Sequence, residues 1–270
     1  MTKILRIPAN SQAYLLAKRD SARDKFDVTK FVFGYENAAA FPPAWAYWKM
    51  EEESGTRYDA TEGEEPYGYT RDLIELNDPI GHSSGKLGNA AHFAETDGIL
   101  QSLGIYYAPT FILTGGVHWM YTFWWKHHVI SSGDDVSIYF DAGGTLGLDG
   151  SFGIEEGNDL GLFYFDWYQV GWQNPTVVNS GHIVTPDEWH FICLYWNGTL
   201  HLEIDNVLVD SDVGGGGMIY NSTPSWGGLY PYGYMNCDLD DHGWWIGDDA
   251  DEAIARRAEL YNGGAGWSPY

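Results

Sequence analysis

The segment from Trp189 to Asp210 constrains the fold more than any other part of this 270-residue chain. Three apolar-rich runs follow one another there: Trp189–Trp196, Leu200–Ile204 and Val207–Asp210. The pairs Asn197-Gly198 and Asp205-Asn206 separate them. Short turns of this composition join antiparallel strands, because Asn, Asp and Gly tolerate positive φ. The segment therefore predicts a three-stranded antiparallel meander.

The rest of the chain repeats this pattern of strand and turn. It holds 13 Trp, 19 Tyr and 12 Phe beside 34 Gly. Aromatic residues suit the pleated surface of a sheet and Gly suits its turns, so this composition favours an all-β fold. Further strands are predicted by period-2 alternation or by short apolar runs at Trp45–Met50, Asp72–Leu76, His118–Trp125, Asp135–Phe140 and Leu160–Tyr168.

One helix is predicted, near the end of the chain. Asp249 and Glu252 have the spacing of a capping box, and the helix would run through Asp251–Tyr261. Gly263-Gly264 would end it, because glycine accepts the left-handed backbone of a C-terminal cap.

The formal net charge is -24, from 38 acidic and 14 basic residues. Such a surface repels phosphate backbones, so no nucleic-acid partner is expected. The acidity is consistent with divalent-cation sites, with a salty medium, or with nothing more than a soluble surface. Two cysteines, Cys193 and Cys237, make no disulfide framework and have no metal-ligand spacing.

No segment has the pattern of a membrane or secretion signal. Met1–Leu16 lacks a charged start followed by a long apolar stretch, so no signal peptide is predicted. No apolar run approaches the roughly 20 residues of a membrane span. We expect synthesis in a cytoplasm without export by the usual signal.

Four motifs follow one another along the chain: Tyr47–Asp59, Gly85–Phe93, the Trp189-His190 hairpin through Ser211, and Leu239-Asp240-Asp241 with the helix and Leu260–Gly266. In this order they resemble the motifs of the laminin-G-like, concanavalin A-like domains of phage and bacterial surface proteins. The resemblance covers about residues 44–270 and implies a two-sheet antiparallel jelly-roll sandwich that binds carbohydrate or protein, often with structural calcium.

Departures from the family pattern are local. Asp205-Asn206 replaces the usual Asp-Gly of the hairpin, and Asp240-Asp241 replaces the closing Asp-Glu. A long insert, Gly143–Asn179, leaves the loops there unplaced.

Pro42-Pro43 predicts a boundary between residues 1–42 and a sandwich at 43–270. Ser11–Arg19 and Phe26–Gly34 resemble the start of phage tail-collar fibre proteins. That resemblance implies an N-terminal arm that attaches to other virion proteins. Fibres are commonly trimeric, so a homo-oligomer is expected, although no coiled-coil repeat is present.

Each catalytic pattern in the sequence fails a physical requirement. Glu203-Ile-Asp205 begins a glucanase-like run, but Val207 and Leu208 occupy the places of the second carboxylate. Gly81–Gly85 matches a nucleophile elbow without the helix that must follow. His127-His128 would point to opposite faces of a strand, so the pair predicts no zinc site. We expect no enzyme.

Aromatic loop residues are the candidates for glycan binding, since flat rings provide contact area at little entropic cost. The alternative is that these rings only pack the core. The candidate glycan-binding residues are Trp226, Tyr230, Tyr232, Tyr234, Trp167 and Trp172.

Calcium prefers several oxygen ligands. The family resemblance implies that Glu52, near the first strand, and Asp240, near the last, lie close together. Asp141 is a second candidate, and ordinary surface carboxylates are the alternative for all three.

The leading hypothesis is a non-catalytic tail-fibre or surface-decoration protein that binds host polysaccharide or neighbouring virion subunits, and so is located in the virion. The alternatives are a lectin-like module of a cellular surface protein and a glycoside hydrolase.

Overall fold

The computed structural model describes backbone and side chains over residues 40–61, 70–76, 80–94, 101–105, 117–128, 185–213 and 236–270. It describes the backbone alone over residues 3–6, 13–17, 32–35, 112–113, 136–141, 152–156, 162–167, 176–183, 218–219 and 225–227. The chain divides into two compact units, Met1–Phe41 and Pro42–Tyr270.

The first unit contains a small antiparallel sheet in the order β1-β2-β3, whose strands are β1 (Lys3–Arg6), β2 (Ala13–Ala17) and β3 (Val32–Tyr35). Two segments carried the tail-collar resemblance: β2 lies within 11–19, and β3 overlaps the end of 26–34.

The second unit is built on two large antiparallel sheets. The eight-stranded front sheet comprises β4 (Ala46–Trp48), β6 (Gly81–Ser84), β7 (Asn89–Phe93), β10 (Trp119–His127), β15 (His190–Trp196), β16 (Leu200–Ile204), β17 (Val207–Asp212) and β20 (Cys237–Ile246). Its order is β17-β16-β15-β10-β20-β7-β6, and β4 pairs with β20.

The back sheet has seven strands: β5 (Leu73–Glu75), β8 (Ser102–Ile105), β11 (Val136–Asp141), β12 (Phe152–Glu156), β13 (Leu162–Trp167), β14 (Thr176–Ile183) and β19 (Ser225–Gly227). Its order is β14-β13-β12-β11-β19-β8-β5. A separate short pair joins β9 (Ile112–Leu113) to β18 (Met218–Ile219). The segment treated from sequence as a long insert thus supplies three neighbouring back-sheet strands.

The core joins the two sheets, which confirms the predicted all-β sandwich. Alternate residues of β10 point inward: Trp119, Tyr121, Phe123 and Trp125. They share one apolar cluster with Leu73, Leu103 and Ile105 of the back sheet. Burying each large side chain contributes about 1.5–3 kcal/mol, so this aromatic layer is a main source of stability.

The predicted meander is confirmed. Strands β15, β16 and β17 follow one another in antiparallel register. Asp205 and Asn206 both have positive φ, 53° and 62°, as a tight hairpin turn requires. The Asp-Asn pair therefore performs the role that Asp-Gly has in the family pattern.

The predicted C-terminal helix exists, but its predicted start is wrong. Helix α1 spans Asp248–Arg256, a short α2 spans Ala258–Tyr261, and a 3-10 turn follows at Asn262–Gly264. The N-cap is Gly247, with φ 69°, and no side chain caps the helix. The capping box is therefore absent, because Asp249 already lies inside the first turn. Within the described residues, neither helix is long and apolar enough to cross a membrane.

Candidate functional site

The side of the front sheet that faces away from the core, here called the outer face, carries the polar side chains of interest. Strand alternation places Thr122, Trp124 and Lys126 of β10 there, while their neighbours enter the core. The C-terminal helices cover one part of this face, since the Tyr261 ring stacks on Trp124 with centroids 6.0 Å apart. The part of the outer face under the helices and the part that they leave uncovered hold different kinds of charged groups.

Under the helices, a buried carboxylate is held by one arginine. Glu203 of β16 accepts from Arg257 through Nε at 2.8 Å and through Nη2 at 2.5 Å. Tyr195 also donates its hydroxyl to Glu203 Oε1, at 3.1 Å. This bidentate geometry is rigid and uses both carboxylate oxygens. The first carboxylate of the glucanase-like pattern is therefore a structural ion pair.

At the open end of the face, Asp238 of β20 is surrounded by cationic and imidazole groups. Its side chain is 1% exposed. His92 Nδ1 donates to Oδ1 at 2.7 Å, and His128 Nε2 donates to Oδ2 at 3.1 Å. Lys126 Nζ lies 2.5 Å from the same Oδ2. We call Asp238, His92, His128 and Lys126 the open cluster.

Each member of the open cluster arrives from an outward position of a different strand or strand end. His92 is opposite Asp238 in the β7–β20 register, and Lys126 is opposite Asp238 in the β10–β20 register. His128 follows the end of β10 and is fixed by Asp187, whose Oδ1 lies 2.6 Å from His128 Nδ1. The cluster is thus a product of sheet register.

Electrostatics keep Asp238 ionised. Burial alone would raise the pKa of Asp238, but the hydrogen bonds from His92 and Lys126 outweigh burial and hold the pKa well below its usual range. The Lys126 ammonium also lies 4.9 Å from the centroid of the Trp189 ring. The open cluster therefore presents a largely buried cation and two imidazoles around one carboxylate, with the Trp189 indole beside the cation.

Asp240, two residues further along β20, lies in a third environment. It is fully buried, and its Oδ2 accepts from the Leu87 backbone at 2.8 Å. Among the described residues, Oδ1 has no hydrogen-bond partner. Burial, with the neighbouring charge of Asp241 second, raises the pKa of Asp240 to about 8. At neutral pH this carboxyl holds a proton in most molecules.

The calcium candidates Glu52 and Asp240 have different hydrogen-bond partners. Glu52 Oε1 accepts from the Tyr58 backbone at 3.0 Å, whereas Asp240 binds the 85–89 loop. The neighbour of Glu52, Glu51, is the residue that reaches this loop, accepting from the Asn89 backbone at 3.0 Å. Glu51 and Asp240 thus both accept hydrogen bonds from backbone amides of the 85–89 loop. For Asp141, the end of β11, the structure describes the backbone only. Calcium binding stays a prediction.

The glycan candidates fall mostly outside the described residues: Tyr230, Tyr232, Tyr234 and Trp172. Trp226 lies within β19, between β11 and β8, and not in a loop. Trp167 is the last residue of β13 and pairs with Phe152 and Thr176. The structure describes the backbone of these two tryptophans alone, so their role in binding stays a prediction.

Sequence reasoning missed the open cluster. It considered His128 with its neighbour His127, which is fully buried on the core side next to Trp125. As expected, strand alternation directs the two side chains to opposite faces of the sheet. On the outer face His128 lies beside His92. The hydrogen-bond partner of His92, Asp238, is 146 residues away along the chain. Of the strands that bring these residues together, only β10 was predicted from sequence, whereas β7 and β20 were recognised only as family motifs.

No protein-family model and no curated protein sequence matches the chain. Solved structures do share its fold. The binding domain of Paraclostridial Mosquitocidal Protein 1 is similar, with a TM-score of 0.58 and 10% identity over 81% of this chain and 52% of that chain. A structure of botulinum neurotoxin type C is also similar, with a TM-score of 0.55 and 13% identity over 83% of this chain and 53% of that chain. Cell entry of that toxin depends on interaction with two ganglioside molecules.

A third similar structure is domain 4 of AbnA, an extracellular GH43 arabinanase from Geobacillus stearothermophilus, solved in complex with arabinotriose. It has a TM-score of 0.53 and 12% identity, over 77% of this chain and 97% of that domain. The chain therefore spans about half the length of the toxin structures and nearly all of the arabinanase domain. At these identities the likeness establishes the β-sandwich fold.

Proposed function

We propose that this chain is a non-catalytic glycan-binding protein. The observation that carries the proposal is its two-sheet fold, shared with a domain solved in complex with arabinotriose and with a toxin that interacts with gangliosides. In each similar structure named above, the matched part is a binding domain or is described by what it binds.

The state of the buried carboxylates supports a role without catalysis. A retaining glycosidase needs two carboxyl groups about 5–5.5 Å apart and facing the sugar. Glu203 is held by Arg257, Asp238 by the open cluster, and Asp240 by a backbone amide. Each of these carboxyl groups is buried and accepts hydrogen bonds or ion pairs from the protein itself, so none of the three faces solvent as a free nucleophile.

The aromatic residues predicted from sequence remain the proposed glycan contacts. Sugar rings pack on flat aromatic faces, and Trp and Tyr add a polar group at the edge of each ring. Under this proposal Trp226, Tyr230, Tyr232 and Tyr234 form one contact region, and Trp167 with Trp172 forms another.

Placement on a virion is the more specific part of the proposal. Residues 1–42 would attach the protein to other virion proteins, and the sandwich would face host polysaccharide. The observation behind it is the resemblance of segments 11–19 and 26–34 to tail-collar fibre proteins. A lectin-like module of a cellular surface protein is the second candidate, because the similar structures include a domain of an extracellular bacterial protein.

A glycan array tests the binding proposal. The full chain should bind a defined subset of glycans, and Tyr230→Ala combined with Tyr232→Ala should reduce the signal at least tenfold. Trp267→Ala removes an exposed tryptophan that is 39% accessible and lies outside the proposed contact regions, so it serves as the matched control. Absence of binding by the unmodified chain would contradict the proposal, and an equal loss in the control would remove the assigned contacts.

A further inference from the structure

The open cluster has the donor set of a transition-metal site. His92, His128 and Asp238 each offer one ligand atom, and these atoms all lie within 4.8 Å of one another. Two imidazole nitrogens with one carboxylate oxygen form a set that zinc binds in proteins, where a fourth position is left to water or another ligand. We propose that this cluster binds a divalent transition-metal ion of the zinc class.

The orientation of His128 supports this assignment. Its two ring nitrogens face two carboxylates, with Nδ1 2.6 Å from Asp187 and Nε2 3.1 Å from Asp238. A bare nitrogen lone pair against a carboxylate oxygen is repulsive, so each contact needs a positive centre between the atoms. Without metal a proton on each nitrogen satisfies both contacts, and a metal ion at Nε2 with a proton kept on Nδ1 would satisfy them equally. The Asp187–His128 pair is then the carboxylate that commonly orients a metal-binding histidine from behind.

Lys126 at present supplies the cation that a metal ion would replace. Its ammonium lies 2.5 Å from Asp238 Oδ2, and the Trp189 ring, 4.9 Å from the same ammonium, offers a second position through a cation–π contact. Binding would transfer the Asp238 oxygen from the ammonium to the metal and release a proton from any ligand nitrogen that carries one. The ammonium would move toward the indole.

The site is accessible and needs only a small adjustment. The His92 and His128 side chains are 35% and 23% exposed, which leaves a path for the ion. Ligand atoms on tetrahedral zinc are roughly 3.3 Å apart, so closing the set requires side-chain shifts on the order of 1 Å. The net charge of -24 favours accumulation of cations near the surface.

Titration calorimetry of the full, chelator-treated chain with Zn²⁺ tests the proposal. We expect one saturable site per chain. His92→Ala and His128→Ala should each weaken binding by more than the roughly 10- to 100-fold that losing an outer-shell partner typically costs. Asp187→Asn should weaken Zn²⁺ binding by a factor within that range, because it removes the positioning partner of His128 and keeps every ligand.

Two further variants separate a metal site from a plain ion-pair network. Lys126→Met should strengthen Zn²⁺ binding several-fold, because it removes the competing cation. His118→Ala is the matched control: His118 is also 35% exposed and lies 2.6 Å from a carboxylate, Asp251, outside the cluster. It should leave Zn²⁺ binding unchanged.

Co²⁺ provides a second readout, since its visible absorption reports coordination geometry and requires no activity. A tetrahedral spectrum that His92→Ala abolishes would support the site. Absence of a stoichiometric Zn²⁺ site in the unmodified chain would overturn the proposal, as would weaker Zn²⁺ binding in Lys126→Met. Neither result would affect glycan binding, which the array measures independently.

Discussion

Glu203 and Asp238 are both buried carboxylates on the outer face of one sheet, yet their surroundings differ. Glu203 is covered by the C-terminal helices and bound by both the Nε and Nη2 atoms of Arg257. Asp238 has three separate donors, two imidazoles and one ammonium, at an uncovered end of the face. An arginine is always charged and does not bind metals, whereas histidine and lysine exchange protons and partners. The covered end is therefore structural, and the open end is the one to which we assign the proposed metal site.

Removing the arginine from the covered end should have the largest effect. Arg257→Ala leaves Glu203 buried without its cation, which typically costs about 3–5 kcal/mol in the free energy of unfolding. Chemical denaturation monitored by tryptophan fluorescence measures the change. A loss below about 1 kcal/mol would mean that Glu203 reaches solvent and that the two ends of the face do not differ.

Asp240 is a third buried carboxyl group of the same strand as Asp238, and it has no bonded cation among the described residues. Burial, with the neighbouring charge of Asp241 second, raises the pKa of Asp240 to about 8 from a usual value of 3.8. The unfolded chain loses this proton near pH 4 and the folded chain near pH 8, so the contribution of Asp240 to stability is complete below pH 4 and falls as pH rises to 8.

Asp240→Asn should remove that pH dependence. The expected gain in the free energy of unfolding relative to the unmodified chain is a few kcal/mol at pH 8, and it should shrink toward zero at pH 4. Denaturation at several pH values gives the difference between the two proteins. A constant difference across the range would contradict a raised pKa at this position.

Removing one imidazole from the open cluster, without metal, should have a small effect. His92→Ala deletes one of three donors to Asp238, while His128 and Lys126 remain. We expect a loss of about 1 kcal/mol, less than the cost of an unpaired buried charge. A loss as large as that of Arg257→Ala would show that the open cluster is as structural as the covered pair.

Replacing Arg256, the neighbour of Arg257, should have the smallest effect on the free energy of unfolding. Arg256 pairs with Glu252 and Glu259, whose side chains are 54% and 46% exposed. Exposed pairs of this kind contribute about 0.2–1 kcal/mol. Thermal unfolding of Arg256→Ala should therefore nearly match the unmodified chain, which makes it the control for Arg257→Ala at the adjacent position.

Local signals predicted the fold well. Strands β15 to β17 were identifiable because their turns, Asn197-Gly198 and Asp205-Asn206, have their own conformational preference. Sequence reasoning missed β12 and β14, in and at the end of the segment treated as an insert, although each pairs with its neighbour β13 along the chain. Glycine inside each strand, at Gly153 and Gly181, weakens the strand pattern there. The helix start was misplaced because Asp249 and Glu252 have the spacing of a capping box. The observed N-cap is Gly247, which caps the helix by its backbone conformation and without a side chain.

The site was less predictable than the fold. The open cluster depends on the register of β20 against β7 and β10, and no local pattern specifies that register. His128 and Asp238 are 110 residues apart in sequence. Their outward parity could be inferred strand by strand, but their adjacency required the order of strands in the sheet.

Under the proposed function, this sandwich binds a glycan and leaves it intact. Calorimetric titration of the full chain with the best array glycan, followed by mass analysis of the recovered ligand after prolonged incubation, tests both parts together. The account predicts saturable heat and a ligand of unchanged mass. A shortened ligand, or no saturable heat, would contradict it.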